Sequence, residues 1–371
     1  MVPVGACSMV QYTDVLEGAA RGVRDRTIDR LLALRAGLDR TISLNNKEGS
    51  FHLATWNIRD FGGSRLNPMP RLDESLLYIA EIISAFDLVA VQEVNQNMAQ
   101  FQEVMTLLGP FWDYIVTDQS GNMERLAFVY DKRKISFRHV AAKVVLPAKN
   151  GKPSDQFNRS PFLVAFQAGW FKFNICTVHI YYGSKSDISK RKREIADVAK
   201  FFSARQEKDE ETYILLGDFN ILNPTDPTMK ALTDNGFTVP KELQIRTALA
   251  SDNYYDQIAV KSRDNIVEIR SAGCFKWQDY VFRDDVDHAT YQELMPKRTK
   301  GGKAAKRDLA AYRKWRTWQI SDHLPLWTEI KMDFTDKYLT SLKSGNRPLA
   351  DFKNEERHKA ARRPSNKRPS R

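Results

Sequence analysis

Cysteine is scarce in this 371-residue chain. There are three, Cys7, Cys176 and Cys274, odd in number and far apart, which excludes a disulfide framework or a thiolate metal site and fits a reducing compartment. Long hydrophobic runs are also missing: no apolar stretch approaches the ~18 residues that cross a bilayer. The opening MVPVGACSMVQYTDVLEGAA lacks the basic region and continuous apolar segment of a secretory signal. A cytoplasmic protein without membrane attachment is expected. No repeat period appears.

What is present describes a globular protein, with 42% hydrophobic and 11% aromatic residues. The length suits one principal domain with terminal extensions. The net charge of +11 is unevenly placed. Lys297 to Arg316 carries nine basic residues against Asp308 alone, and Lys343 to Arg371 ten against three acids. The rest of the chain is slightly acidic, so the basicity sits in two added segments.

Three regions follow. Residues 1–50 form an N-terminal helical extension, with Leu16, Val23, Ile28, Leu31, Leu32, Leu34 and Leu38 on mostly one face. That face docks on the core or on a second copy or other protein partner. Residues 51–333 alternate short strand-like runs with two helical patterns, Leu72 to Phe86 and Ser186 to Gln206. Nine strands are expected: FHLATWNI, DLVAVQEV, RLAFVYD, PFLVAFQ, FKFNICTVHI, TYILLGDFN, YDQIAV, IVEIRSA and LPLWTEI. They point to two packed sheets with helices outside. A basic insertion, 297–318, mixes cations with Tyr312, Trp315 and Trp318 as a phosphate-tracking and base-stacking surface would, or as a solvated loop with its aromatics tucked in. Residues 334–371 read as a disordered basic tail.

The strands end in an unusual way. YILLGDFNI closes an apolar run on Asp218 and Asn220, two residues apart and so on one side of extended chain. Asn57, Glu93, His179 and the pair Asp322–His323 also stand at strand ends. Each has a bland alternative: a turn acid, a satisfied core histidine, a helix cap. Together they make one polar site above a β-sandwich.

This set, in this order, resembles the endonuclease/exonuclease/phosphatase superfamily, which includes deoxyribonuclease I, exonuclease III and the inositol polyphosphate 5-phosphatases. The motifs run from Thr55 to Trp327, with QE, then GDFN, then SDH. The resemblance implies an α+β, four-layer αββα sandwich of two mostly antiparallel sheets packed face to face, and divalent-metal hydrolysis of phosphate esters. It assigns Asn57, Glu93 and Asp322 to metal binding, and Glu124 to pairing with His179. It places Arg159 on the phosphate, Asp218 and Asn220 on the attacking water and phosphate, and Asp256 behind His323. YDQIAV is similar to the deoxyribonuclease I branch, although Gln257 replaces its arginine, so a bacterial-type intracellular member of that branch is expected.

Physical chemistry asks for the same residue types. A phosphodiester anion repels nucleophiles, so the site must neutralise it and hold a water in line. Carboxylates such as Glu93 and Asp322 suit Mg²⁺ or Mn²⁺. A histidine held by a carboxylate can move the proton. Lys306, Arg307, Arg313, Lys314 and Arg316, close ahead of Asp322, are expected to track nucleic acid, DNA above all. A DNA endonuclease is therefore the expected function. A phosphomonoesterase or lipid phosphodiesterase of the same fold, and a catalytically silent nucleic-acid-binding protein, are the alternatives.

Overall fold

The computed structural model describes residues 10–42, 49–62, 70–148, 154–184, 188–263, 267–298 and 301–344. Two helices come first, α1 (Thr13–Gly18) and α2 (Arg21–Ile42). Then come β1 (Ser50–Phe61), α3 (Asp73–Ser84), β2 (Leu88–Val94), α4 (Ala99–Leu108), β3 (Trp112–Val116), β4 (Arg125–Asp131) and β5 (Ile135–Lys143). The second half holds β6 (Phe162–Ala168), β7 (Phe171–His179), α5 (Ser189–Asp209), β8 (Thr212–Asp218), α6 (Pro227–Thr233) and β9 (Asp256–Lys261). β10 (Ile269–Cys274), α7 (His288–Tyr291), α8 (Leu309–Gln319), β11 (Leu326–Lys331) and α9 (Thr335–Lys343) complete the order. No described helix is long and apolar enough to cross a membrane.

One sheet has the order β10-β11-β1-β2-β4-β3 and the other β5-β6-β7-β8-β9. Within each, one pair is parallel, β1 with β2 and β7 with β8, and the others are antiparallel. A parallel neighbour needs a crossover, and helices α3 and α5 supply the two crossovers. Burial explains the near-continuous apolar runs. Every residue of β1 except Arg59 is buried, and β8 is buried throughout, because each lies inside a sheet covered on both faces. Between the sheets lie Phe51, Phe128, Phe166 and Phe173, with Phe51 and Phe173 stacked at 5.5 Å. Outside the first sheet, α2 and α3 pack on Trp56, Val89 and Val91. The family's expected two-sheet α+β sandwich is what the chain forms.

All nine expected strands are present. β3 and β5 were not foreseen. β5 is an exposed edge strand whose register shifts between Phe137 and Ala141, so it lacks the apolar pattern of a covered strand.

The N-terminal helix finds its partner in the chain's own core. Leu31, Leu34, Leu38 and Ile42 are buried, and Arg26, Arg30 and Arg35 pair with Glu74, Asp287 and Glu81 at 2.6–2.8 Å. At the other end, the expectation of disorder from residue 334 is corrected for its first eleven residues. Asp333 Oδ1 accepts from Thr335 N at 2.9 Å, starting α9, and Tyr338 packs on Trp170 at 5.4 Å between ring centres. The rest of that expected tail, from residue 345, lies outside the described residues.

Candidate active site

The two parallel pairs position the chemistry. Parallel strands end at the same edge, so Asn57 of β1 and Glu93 of β2 leave one sheet where His179 of β7 and Asp218 of β8 leave the other. Asp256, first residue of β9, lies opposite Asp218 in the ladder. His323 and Glu124 enter just before β11 and β4. At the floor, Gln92 Nε2 ties the sheets by donating to Thr177 Oγ1 at 2.9 Å.

Three close contacts across the sheets assemble the site. Asn57 Nδ2 donates to Glu93 Oε1 at 2.9 Å and to Asp218 Oδ2 at 3.2 Å. His323 Nδ1 is 2.7 Å from Asp256 Oδ2. His179 Nδ1 is 3.0 Å from Glu124 Oε2, out of line for a hydrogen bond. The Nε2 atoms of His179 and His323 converge on Asp218 Oδ2, at 3.6 and 3.9 Å.

Backbone geometry carries part of the cost. Gly217 has φ +130°, and a Cβ there would stand 2.1 Å from Val178 O, so only glycine lets β8 deliver Asp218 this close to β7. Asp60, Glu93 and Asn220 all adopt left-handed φ, a conformation sustained only where the surroundings fix it. Here Asp60 N donates to Glu93 Oε2 at 2.9 Å. Asn220 N donates to Asp218 Oδ1 at 2.8 Å, and Asn220 Nδ2 to Ile180 O at 2.7 Å.

The electrostatics follow from burial and partners. Burial would raise the Glu124 carboxyl, but His179 and Arg159 outweigh it and hold it down at about 2. Burial would lower both imidazoles. The Glu124 carboxylate beside it lifts His179 above the ordinary histidine value, and Asp256 and Asp218 lift His323 well above it. Burial raises the Asp256 carboxyl.

Several residues were not singled out from the sequence. Arg191 is buried and donates to the carbonyls of Tyr182 at 3.0 Å and Asn220 at 2.8 Å. Arg71, also buried, joins the Asp60 and Gln319 carbonyls at 3.0 and 3.2 Å, and burial lowers its guanidinium to about 10. Tyr255 lies against His323 at 5.4 Å and 31°. Arg59 sits over the Trp318 ring at 3.6 Å and reaches Asp322 at 3.4 Å.

Other expected residues sit differently from their expected roles. Arg159 is buried and holds Glu124 with Nε at 2.7 Å, so the guanidinium is committed to a carboxylate. Asp322 makes its ion pair with Arg59. The insertion as a binding surface is corrected in part. Tyr312 and Trp315 belong to the core, and Arg316 is buried, donating to Phe282 O at 2.8 Å and pairing with Asp284 at 3.0 Å. Arg313 also binds Asp284, and Arg307 binds Glu293. Lys306 and Lys314 remain exposed.

Among the described residues, no group of three His, Cys, Asp or Glu is arranged to hold a metal. The donors nevertheless fit a hard cation that keeps its water. Asn57 Oδ1 is buried with no hydrogen-bond partner, beside the carboxylates of Glu93 and Asp218, and Mg²⁺ is characteristically held by one or two carboxylates plus water.

Two sheets thus deliver two histidine–carboxylate pairs and a central aspartate to one edge. The chain belongs to the Endonuclease/Exonuclease/phosphatase family, whose model matches residues 54–323. Members are generally hydrolases of phosphoester bonds and commonly use divalent metals. Among solved structures, it is similar to an endonuclease/exonuclease/phosphatase family protein from Bacteroides thetaiotaomicron, with TM-score 0.51 and 17% identity over 76% of this chain and 98% of that one. The human Nocturnin catalytic domain gives 0.51 and 15%, over 76% and 94%. A mannosyl-6-phosphatase from Bacteroides thetaiotaomicron VPI-5482 gives 0.50 and 16%, over 76% and 100%. No curated protein matches the chain.

Proposed function

We propose that this protein is a divalent-metal-dependent phosphodiester hydrolase acting on nucleic acid, most simply a DNA endonuclease. The observation that carries the reading is the convergence of both histidine Nε2 atoms on Asp218 Oδ2, each imidazole backed by its own carboxylate. A phosphate seated there meets proton donors on two sides and a central carboxylate.

Glu93, Asn57 and Asp218 would hold Mg²⁺ or Mn²⁺, which when bound neutralises phosphate charge and positions water. The chain's own residues do the rest. Asp218, faced by two imidazoles whose carboxylate partners raise their hold on a proton, accepts the proton of the attacking water. His179 and His323 donate to phosphate oxygens, one of them to the leaving oxygen. Asp256 fixes the His323 ring through Nδ1, leaving Nε2 for the substrate. Arg191 and Asn220 shape the turn that follows Asp218.

Exposed Lys306 and Lys314 and the net charge of +11 support a polyanionic substrate. A second reading, phosphomonoester hydrolysis, gains from the internal pairing of Arg307, Arg313 and Arg316, which takes cations from the binding surface. A catalytically silent binder has no use for two intact histidine–carboxylate pairs. The test is cleavage of supercoiled plasmid, single-stranded DNA and RNA with Mg²⁺, Mn²⁺ or EDTA, beside His323→Ala. Metal-dependent cleavage lost in the variant supports the proposal. Phosphate release from small esters without cleavage of any nucleic acid overturns the substrate.

A further inference from the structure

A groove of about 520 Å³ opens beside the site on the outer, helix-covered side of the first sheet, lined by Met98, Val116, Thr117, Asp118, Gln119 and Arg125. Arg125 follows Glu124 and pairs across the ladder with Val94, the residue after Glu93. Its position is therefore tied to the catalytic edge. Its state is unusual: the Nε is buried and has no hydrogen-bond partner. Arg125 itself is half-buried, whereas the buried arginines Arg71, Arg159 and Arg191 spend N–H groups on carbonyls or carboxylates. The one acid lining the groove, Asp118, is already paired with Lys143 Nζ at 2.8 Å, which leaves the Arg125 charge incompletely answered. Gln119 adds a side-chain amide to the same wall.

We propose that this groove is a second phosphate subsite, in which Arg125 and Gln119 take a backbone phosphate of the nucleic-acid strand flanking the scissile one. The inference rests on the nucleic-acid reading above. A guanidinium offers a planar fork of donors matched to phosphate, and a strand presents a phosphate for every ~3.4 Å of axial rise. Alternation along β4 puts Arg125 on the face shared with Ala127 and Val129, whereas Glu124 faces His179 between the sheets. A strand engaging both must pass over the sheet edge at Glu93. The consequence is selection for a flexible or bent strand, and for more than one phosphate.

The experiment compares wild type, Arg125→Ala and Arg125→Lys in two assays. Anisotropy of a labelled single-stranded oligodeoxynucleotide in EDTA, across a salt series, reads binding without cleavage. Hydrolysis of bis(p-nitrophenyl) phosphate with Mn²⁺ reads the site without a strand. Arg125→Ala is expected to weaken oligonucleotide binding about tenfold and flatten the slope of log K against log salt by about 0.7, one phosphate contact on a single strand. Arg125→Lys recovers most of the slope, and small-ester hydrolysis stays at the wild-type rate. Unchanged affinity and slope in Arg125→Ala, with a wild type that binds and cleaves DNA, overturn the subsite alone. Parallel loss on the small ester overturns it in favour of a structural role through Glu124. A wild type that hydrolyses the ester but neither binds nor cleaves DNA overturns the subsite together with the nucleic-acid reading.

Discussion

His323 Nδ1 and Asp256 Oδ2 are 2.7 Å apart although they come from different sheets, and both residues are buried. The carboxylate thereby dictates which ring nitrogen faces the substrate. Asp256→Asn keeps the size and removes that control, because an amide can offer either an oxygen or an N–H to Nδ1. The expected result is a fall in kcat of about 10²- to 10⁴-fold with KM little changed. Steady-state kinetics on the confirmed substrate, beside circular dichroism to show folding, would check it.

Glu124 gives a pH signature. Its carboxyl is held at about 2 in the folded chain, from 4.5 unperturbed. A depressed folded value contributes stability above the unfolded value, and that contribution is lost as pH falls from 4.5 towards 2. Glu124→Gln leaves Arg159 and His179 without their acid, and is expected to be about 3 kcal/mol less stable than wild type at pH 7. The gap should close on acidification. Denaturant midpoints for both proteins from pH 7 to the lowest pH at which wild type folds would show the convergence, and a gap independent of pH would contradict it.

Gly217→Ala is the sharpest backbone test. The added methyl would stand 2.1 Å from Val178 O at φ +130°. Neither the clash nor the dihedral is relieved without parting β7 from β8. A loss of more than about 3 kcal/mol is expected, seen as a collapse of Tm or failure to accumulate folded protein. A soluble variant with wild-type Tm would show that the strands tolerate separation here.

The cations of the insertion divide into two kinds. Arg316→Ala removes a buried partner of Asp284 and Phe282 O and is expected to destabilise by about 3 kcal/mol. Lys306→Ala with Lys314→Ala touches exposed groups. Stability should stay within about 0.5 kcal/mol, while the salt dependence of DNA binding becomes shallower. Thermal melts and binding at two salt concentrations separate the two effects.

The sandwich and the polar strand ends were legible because covered strands write long apolar runs, and each run stops where Asn57, Glu93, His179 or Asp218 begins. The buried arginines were not, because a basic run hides the one member that points inward. A signal existed. Arg191 follows Ile188 by three residues and precedes Ile195 by four, on the apolar stripe of α5, and Arg316 stands four after buried Tyr312 in α8. A cation at a stripe position marks a buried donor. β3 and β5 left little trace, since an edge strand needs only one covered face. Arg125 gave none, because its interest lies in what it fails to bind.

Three close pairs at this site take one member from each layer: Asn57 with Asp218, Glu124 with His179, His323 with Asp256. The protein thus works like a vice whose jaws carry half of the chemistry each, and the phenylalanines between the layers act as the shim that sets their opening. A thinner shim or a thicker one would leave every reactive group intact and still move the halves out of reach of one another. Evolution of this chain's activity is therefore open to adjustment from deep inside the molecule, far from any residue that meets the substrate.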